Sequence, residues 1–315
     1  MKMPSRKNEN RQFHLFISKN GLGSAARTPR ARGVLLTFAY ASLTSISLVF
    51  LHHVGSDIPT AVSLFYMALA SSVIFNVIDY RNMAASHRSA ARHWSSFAVM
   101  SIAFAVNWLF SYYSVTHAPA DFFVAEFFLT SALCSCLTKC KWGKAAVCFA
   151  AVLAVYFLSA APLTVLATSA AAGVSIYAYF SSSLHFSRSA GLGPISVVAM
   201  RCYLLFGCAT GYLIGTSSQG SLIVSQEVAW QLAFLVLANM VIPSFLSQTC
   251  LHLVGVHSFT FMNSVIPVLT FGLQASLNSA WQPGVLMAAL AATLALNYEG
   301  VALALGRAGK TILTR

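Results

Sequence analysis

Residues 119–144 read Pro119-Ala120-Asp121-Phe122-Phe123-Val124-Ala125-Glu126-Phe127-Phe128-Leu129-Thr130-Ser131-Ala132-Leu133-Cys134-Ser135-Cys136-Leu137-Thr138-Lys139-Cys140-Lys141-Trp142-Gly143-Lys144. A proline opens about twenty mostly apolar residues, enough for a helix to cross roughly 30 Å of hydrocarbon. Three lysines close the stretch. The apolar residues lack the period-two alternation of outer-membrane strands, so a helix is expected and a barrel is not.

The same unit recurs outward in both directions. Spans are expected at about 33–53, 59–79, 95–116, 119–138, 142–160, 163–187, 193–216, 229–253, 257–278 and 282–305. Breakers separate them: Pro59, Pro119, Pro162, Gly191 to Pro194, Ser217 to Ser221, and Pro283. The connections are short, so neighbouring helices run antiparallel and no soluble domain is inserted. Composition agrees. Of 315 residues, 57% are hydrophobic and only 8% charged, with a mean hydropathy of +0.72. A soluble domain needs about 25% charged residues to keep its surface wet, so the exterior of this one must face lipid.

Charge placement tests the count of ten. Lys2, Arg6, Lys7, Arg11, Lys19, Arg27, Arg30 and Arg32 lie before the first span. Arg81, Arg88 and Arg92 follow the second, Lys139, Lys141 and Lys144 the fourth, Arg188 the sixth, and Arg307, Lys310 and Arg315 the tenth. These are 18 of the 19 basic residues, and a ten-span chain puts all of them on one side. The other side holds Asp57, Asp121 and Glu227. Basic loops mark the cytoplasm, so both termini are expected there, in a protein of the cell (inner) membrane. The net charge of +12 is then explained by orientation and by attraction to anionic lipid, with no nucleic acid needed as a partner. Residues 1–32 form a basic tail, rich in Arg and Ser like an organelle transit peptide but without an amphipathic stripe. It is expected to be a disordered cytosolic leader, and 307–315 a second short tail.

The seven cysteines are odd in number and sit in or beside apolar helices, so neither a disulfide framework nor a zinc site is expected. No Gly-x-Ser-x-Gly elbow, His-Glu-x-x-His pair or phosphate-cradling glycine loop occurs, and an enzyme is not expected. No cofactor is implied.

An internal repeat is visible. Residues 104–160 and 243–300 share one plan: helix, tight polar turn, helix, a Trp, then an Ala-rich helix. Trp142 corresponds to Trp281, and Ala150-Ala151 to Ala288-Ala289. The halves, 33–160 and 161–306, each hold five spans. Five is odd, so the second half is inverted relative to the first, as in many secondary transporters. The expected fold is therefore all-α and integral to the membrane, with ten transmembrane helices as two inverted five-helix repeats.

This plan resembles the drug/metabolite transporter superfamily and its EamA-type permeases. Thr249 to Gly255 (Thr-Cys-Leu-His-Leu-Val-Gly) followed by Ser264-Val265-Ile266-Pro267-Val268 is similar to that family's hairpin between helices 8 and 9. Pro194 to Arg201 resembles the opening of its helix 7. The first repeat departs from the pattern: Leu129 stands near the counterpart of Pro267, and Tyr66 where an arginine is common. The resemblance implies an exporter of a small organic metabolite such as an amino acid, working by alternating access. A nucleotide-sugar or phosphorylated-metabolite antiporter is the rival, and a non-transporting multi-pass protein a third reading.

Ionisable groups at membrane depth are costly and are functional candidates by default. Glu126 lies in the Phe-rich fourth span, with Thr130 and Cys134 continuing its face at i+4 and i+8. It is expected to exchange a proton, or to hold a substrate amine, within a central cavity. Packing as a neutral acid is the plainer role. Arg201, the one basic residue inside a span, can hold a carboxylate or phosphate bidentately or pair with Glu126. Asn107, Trp108 and Asn263, with Tyr66, complete the substrate-binding set. Asn239 and Gln274 are cavity or interhelical residues, Asn297 and Glu299 lie near a helix end, and Asp121 suits a helix N-terminus. His117, His185, His252 and His257 sit at or near helix ends.

Overall fold

In a computed structural model the described residues are 29–54, 58–159, 161–215, 224–277 and 283–297. All regular structure among them is helical. The chain runs through α1 (Pro29–Val54), α2 (Thr60–Ile78), α3 (Met83–Arg92), α4 (Trp94–His117), α5 (Ala120–Thr138), α6 (Trp142–Ser159) and α7 (Leu163–Ala190). It continues through α8 (Pro194–Gly215), α9 (Gln226–Val254), α10 (Val256–Leu277) and α11 (Pro283–Asn297). Nine of these, α3 and α11 excepted, are long and apolar enough to cross a membrane. The chain is thus a multi-pass membrane protein. Of the tenth expected span, residues 283–297 form the short apolar helix α11. Residues 29–32, expected as the end of the basic tail, open α1, while 1–28, Asp57, Trp281, Glu299 and the C-terminal tail lie outside the described residues.

The expected span ends hold to within a few residues because the breakers act as physics requires. Pro59, Pro119 and Pro162 stand just before α2, α5 and α7, where proline's missing N–H costs nothing. Gly191, at φ 67°, closes α7 in the left-handed region, which only glycine enters freely. One element was not expected. Residues 83–92, read as loop, form the short helix α3, whose polar composition keeps it from crossing. Ser86 and Ala90 are its buried residues. It is anchored by Ser86 Oγ donating to Asp79 (3.3 Å) and Ser89 Oγ donating to the Ala190 carbonyl at the end of α7 (2.8 Å).

Burial sorts the helices. Four-fifths of the α5 window is buried (83%) but only 22% of that of α6, so α5 is central and α6 peripheral. α7 packs along α4 and α5; α1 packs along α9 and α10; α2 pairs with α8, and α5 with α10. Two glycines permit close crossings. A Cβ at Gly173 of α7 would lie 2.5 Å from the Phe127 carbonyl oxygen of α5, and one at Gly33 of α1 2.5 Å from Val254 of α9. Exposed rings mark the two ends of the bundle: Trp94 and Trp142 open α4 and α6 on the side of the basic loops, and Tyr212 and Trp230 lie toward the other. Such rings suit the interfaces of a bilayer.

Two helices are irregular beside proline. Pro243 offers no N–H, and its ring crowds the carbonyl of Asn239 one turn back. The chain widens to a π-helix over Val236–Val241 just before it. In α10 the turn Asn263–Val265 tightens to 3-10, and Ile266 N–H takes the Asn263 carbonyl that Pro267 cannot serve.

Candidate functional site

A cavity of about 80 Å³ lies among α1, α4, α5, α7, α8 and α9. Since one water needs roughly 10–15 Å³ on this measure, it has room for several. It runs from Tyr40, Tyr179, Arg201 and Ser247 toward Leu51, Tyr112 and Phe123, which are nearer the ends of their helices remote from the basic loops. Phe104, Trp108, Phe127, Phe128 and Phe180 make much of its wall, while Thr44, Asn107, Ser111, Asn239 and Ser244 supply neutral polar groups.

Arg201 reaches this wall from α8. Seven residues after Pro194, at 1.5 Å each, it sits about 10 Å along the helix. Only 2% of the residue is exposed. One Nη donates to the Tyr179 hydroxyl, and the guanidinium lies over the Phe104 ring at 4.4 Å and the Tyr179 ring at 5.4 Å. Its Nε has no hydrogen-bond partner. No carboxylate among the described residues is paired with it. The charge is therefore held by aromatic faces and one phenol, with part of its donor fork unspent.

The π-helix of α9 brings Asn239 to the cavity, where its Oδ1 lies 3.3 Å from Ser47 Oγ of α1. On the same wall Ser244 Oγ donates to the Met240 carbonyl and Ser247 Oγ to that of Ser244 (3.0 Å). The hydroxyls of Thr44 and Tyr112 neighbour those of Tyr40 and Ser63.

Of the residues singled out from sequence, Arg201, Asn107 and Trp108 come together at this cavity, and Asn239 joins them. Glu126, Asn263 and Tyr66 are not part of its wall. Glu126 is fully buried in α5, with neither carboxyl oxygen hydrogen-bonded. The register of α5 on α10 is set by Asp121 N–H donating to Gln274 Oε1 (3.0 Å) and by Ser135 Oγ against His257 Nδ1 (2.7 Å). That register puts Glu126 at the height of Pro267 to Thr270. The hydroxyls of Thr130 and Thr270 and the amide of Asn263 are likewise buried without partners. Glu126 is thus buried outside the cavity wall, and Thr130, one turn further on its face, packs against Gly173 of α7. Tyr66 packs beside Val62, Leu213 and Leu232, between α2, α8 and α9.

The other candidates have structural partners. Asn297 Nδ2 donates to Ser264 Oγ (3.0 Å) and to the Thr293 carbonyl (2.9 Å), tying α11 to α10. His252 contacts Ser187 (3.1 Å), and His117 contacts the Tyr113 carbonyl (2.8 Å). The described cysteines are free thiols, and among the described residues no three His, Cys, Asp or Glu side chains gather where a metal could bind.

Sequence reading missed Tyr179 and Phe104 as the seat of Arg201, because neither is polar enough to stand out in an apolar helix. It also missed the π-helix, although Pro243 four residues after Asn239 was a usable signal.

No family model and no curated protein matches this chain. A solved structure titled only "Crystal structure of protein" is similar to it, with a TM-score of 0.61 at 17% identity over 85% of this chain and 96% of the other. At that identity the likeness is one of fold. The class defined so far is an all-α, multi-pass membrane protein with an internal cavity holding one buried cation.

Proposed function

We propose that this protein is a secondary transporter that moves a small organic solute, such as an amino acid or a related metabolite, by alternating access between two inverted five-helix halves. The carrying observation is Arg201: a buried guanidinium, unpaired with any described carboxylate, in the wall of a cavity formed by helices of both halves. A buried charge without a counter-ion costs several kcal/mol, and a protein retains one where a ligand supplies the counter-ion.

The contact pattern supports the inverted repeat. Exchange each spanning helix for the one five spans on: α1 for α7, α2 for α8, α4 for α9, α5 for α10, α6 for α11. The packing of α7 on α4 and α5 becomes that of α1 on α9 and α10, while the pairs α2–α8 and α5–α10 map onto themselves. The α5–α6 packing becomes the α10–α11 contact made by Thr293 and Asn297. Such symmetry lets one scaffold adopt two states related by a pseudo-two-fold axis in the membrane plane and open to opposite sides. The resemblance to EamA-type permeases points the same way, and efflux is the direction it suggests. A nucleotide-sugar antiporter fits less well, since its diphosphate calls for more than one cation.

The test is transport by the purified chain in proteoliposomes, screened over small metabolites with and without a pH gradient. Saturable, counterflow-competent uptake of at least one solute is expected. Its absence across carboxylates, amino acids, sugars and phosphate esters, in correctly folded vesicles, would end the reading.

A further inference from the structure

The cavity wall is electrostatically one-sided. Among the residues that line it, Arg201 is the one ionised side chain; the rest are aromatic, aliphatic, hydroxyl or amide. Glu126, the obvious partner for a substrate amine, is not in the wall, and neither is Asp121. We propose that the cavity selects a compact monocarboxylate with an apolar or aromatic body, and discriminates against the matching zwitterion. This rests on the transport reading above and narrows its substrate class from amino acids to related carboxylates that lack the ammonium group.

Three features carry it. Arg201 lines the cavity with one Nη on Tyr179 and no carboxylate beside it, so an incoming carboxylate supplies the missing counter-charge. The amide of Asn107 and the hydroxyl of Ser111 give the lining neutral polar groups for other polar atoms of the ligand. Phe123, Phe127 and Trp108 then offer apolar surface to its body.

An α-ammonium would find no carboxylate and would share the cavity with a like charge. Cation–π contact with Trp108 or the other phenylalanine rings of the wall returns less than the cost of burying an unpaired charge beside Arg201. A dianionic phosphate ester would keep one charge uncompensated in a low-dielectric site.

Binding to the purified full-length chain in lipid nanodiscs, followed by calorimetry, tests this with four probes of similar size: phenylacetate, phenylglycine, phenylacetamide and phenyl phosphate. Phenylacetate should saturate and bind at least tenfold more tightly than each of the others. Arg201→Lys should weaken phenylacetate severalfold, while the wild-type probe series keeps the test valid if that variant folds poorly. Phenylglycine or phenylacetamide binding as tightly as phenylacetate would overturn the proposal, as would a failure of phenylacetate to saturate. Uptake of the same probes into proteoliposomes separates the two readings. The expected rank order in binding with no uptake removes transport and keeps the ligand class. Preferred uptake of phenylglycine removes the class and keeps transport.

Discussion

At the residue scale, two buried ionisable groups divide the chemistry. Arg201 faces the cavity, and Glu126 is buried in α5 outside its wall. Ionised there without a partner, a carboxylate costs several kcal/mol, so we propose Glu126 as a proton-exchange group beside the proposed transport cavity. Substrate-amine binding by Glu126 would need the side chain to reach a wall that it does not form. Glu126→Gln keeps shape and polarity but cannot titrate. We expect a folded protein at near-normal abundance whose transport is reduced and no longer varies with pH between about 5 and 8. A wild-type rate with wild-type pH dependence would return Glu126 to packing alone. For Arg201→Lys, the charge stays but the planar fork and its stacking on Phe104 are lost. Apparent affinity for a carboxylated solute should fall more than the amount of folded protein does, and the comparison of transport kinetics with fluorescence-detected chromatography reads both.

At the element scale, the close crossing of α7 on α5 depends on Gly173. Alanine there puts a methyl group 2.5 Å from a backbone oxygen, which no rotamer change relieves. The helices must separate, and Gly173→Ala should lower stability by about 1–3 kcal/mol, seen as a lower Tm in detergent. Gly143→Ala, whose Cβ meets nothing within 4 Å, is the control and should leave Tm nearly unchanged. The π-helix of α9 gives a second, functional test. Pro243→Ala restores an N–H and removes the ring, so the widened turn Val236–Val241 can close to ordinary α-helix. Closure would rotate Asn239 away from Ser47 and the cavity. The expected result is a well-folded protein, at least as stable as wild type, with severalfold weaker solute affinity. Unchanged affinity would show that the wide turn serves packing only.

At the scale of the molecule, orientation follows from charge. Reporter fusions after Arg92, Lys144 and Arg315 should all report the cytoplasm, and fusions near Asp57 and Glu227 the opposite side. Arg92 and Arg315 on opposite faces would break the ten-span arrangement and, with it, the inverted repeat. The described bundle has nine qualifying spans plus α11, so this experiment also tests whether the last helix crosses fully.

The sequence by itself determined the class and the helix list. Both are local properties: twenty apolar residues must become a helix in lipid to satisfy their backbone groups, and prolines and glycines act within one turn of where they stand. Thus Pro119 and Gly191 marked ends of α5 and α7 that the structure keeps. A polar ten-residue helix such as α3 escaped, because its formation depends on Asp79 and on the end of α7. What only the tertiary structure decided is which faces meet. Periodicity could place Glu126 and Thr130 on one stripe but not say what that stripe packs against, and the low hydropathy contrast around each helix gave no direction inward. In lipid both the outside and the inside of a bundle are apolar, so hydrophobic pattern does not distinguish them. Helix packing, set by close crossings such as Gly173 on Phe127, put Arg201 in a cavity, seated it on Phe104 and Tyr179, and left Glu126 outside.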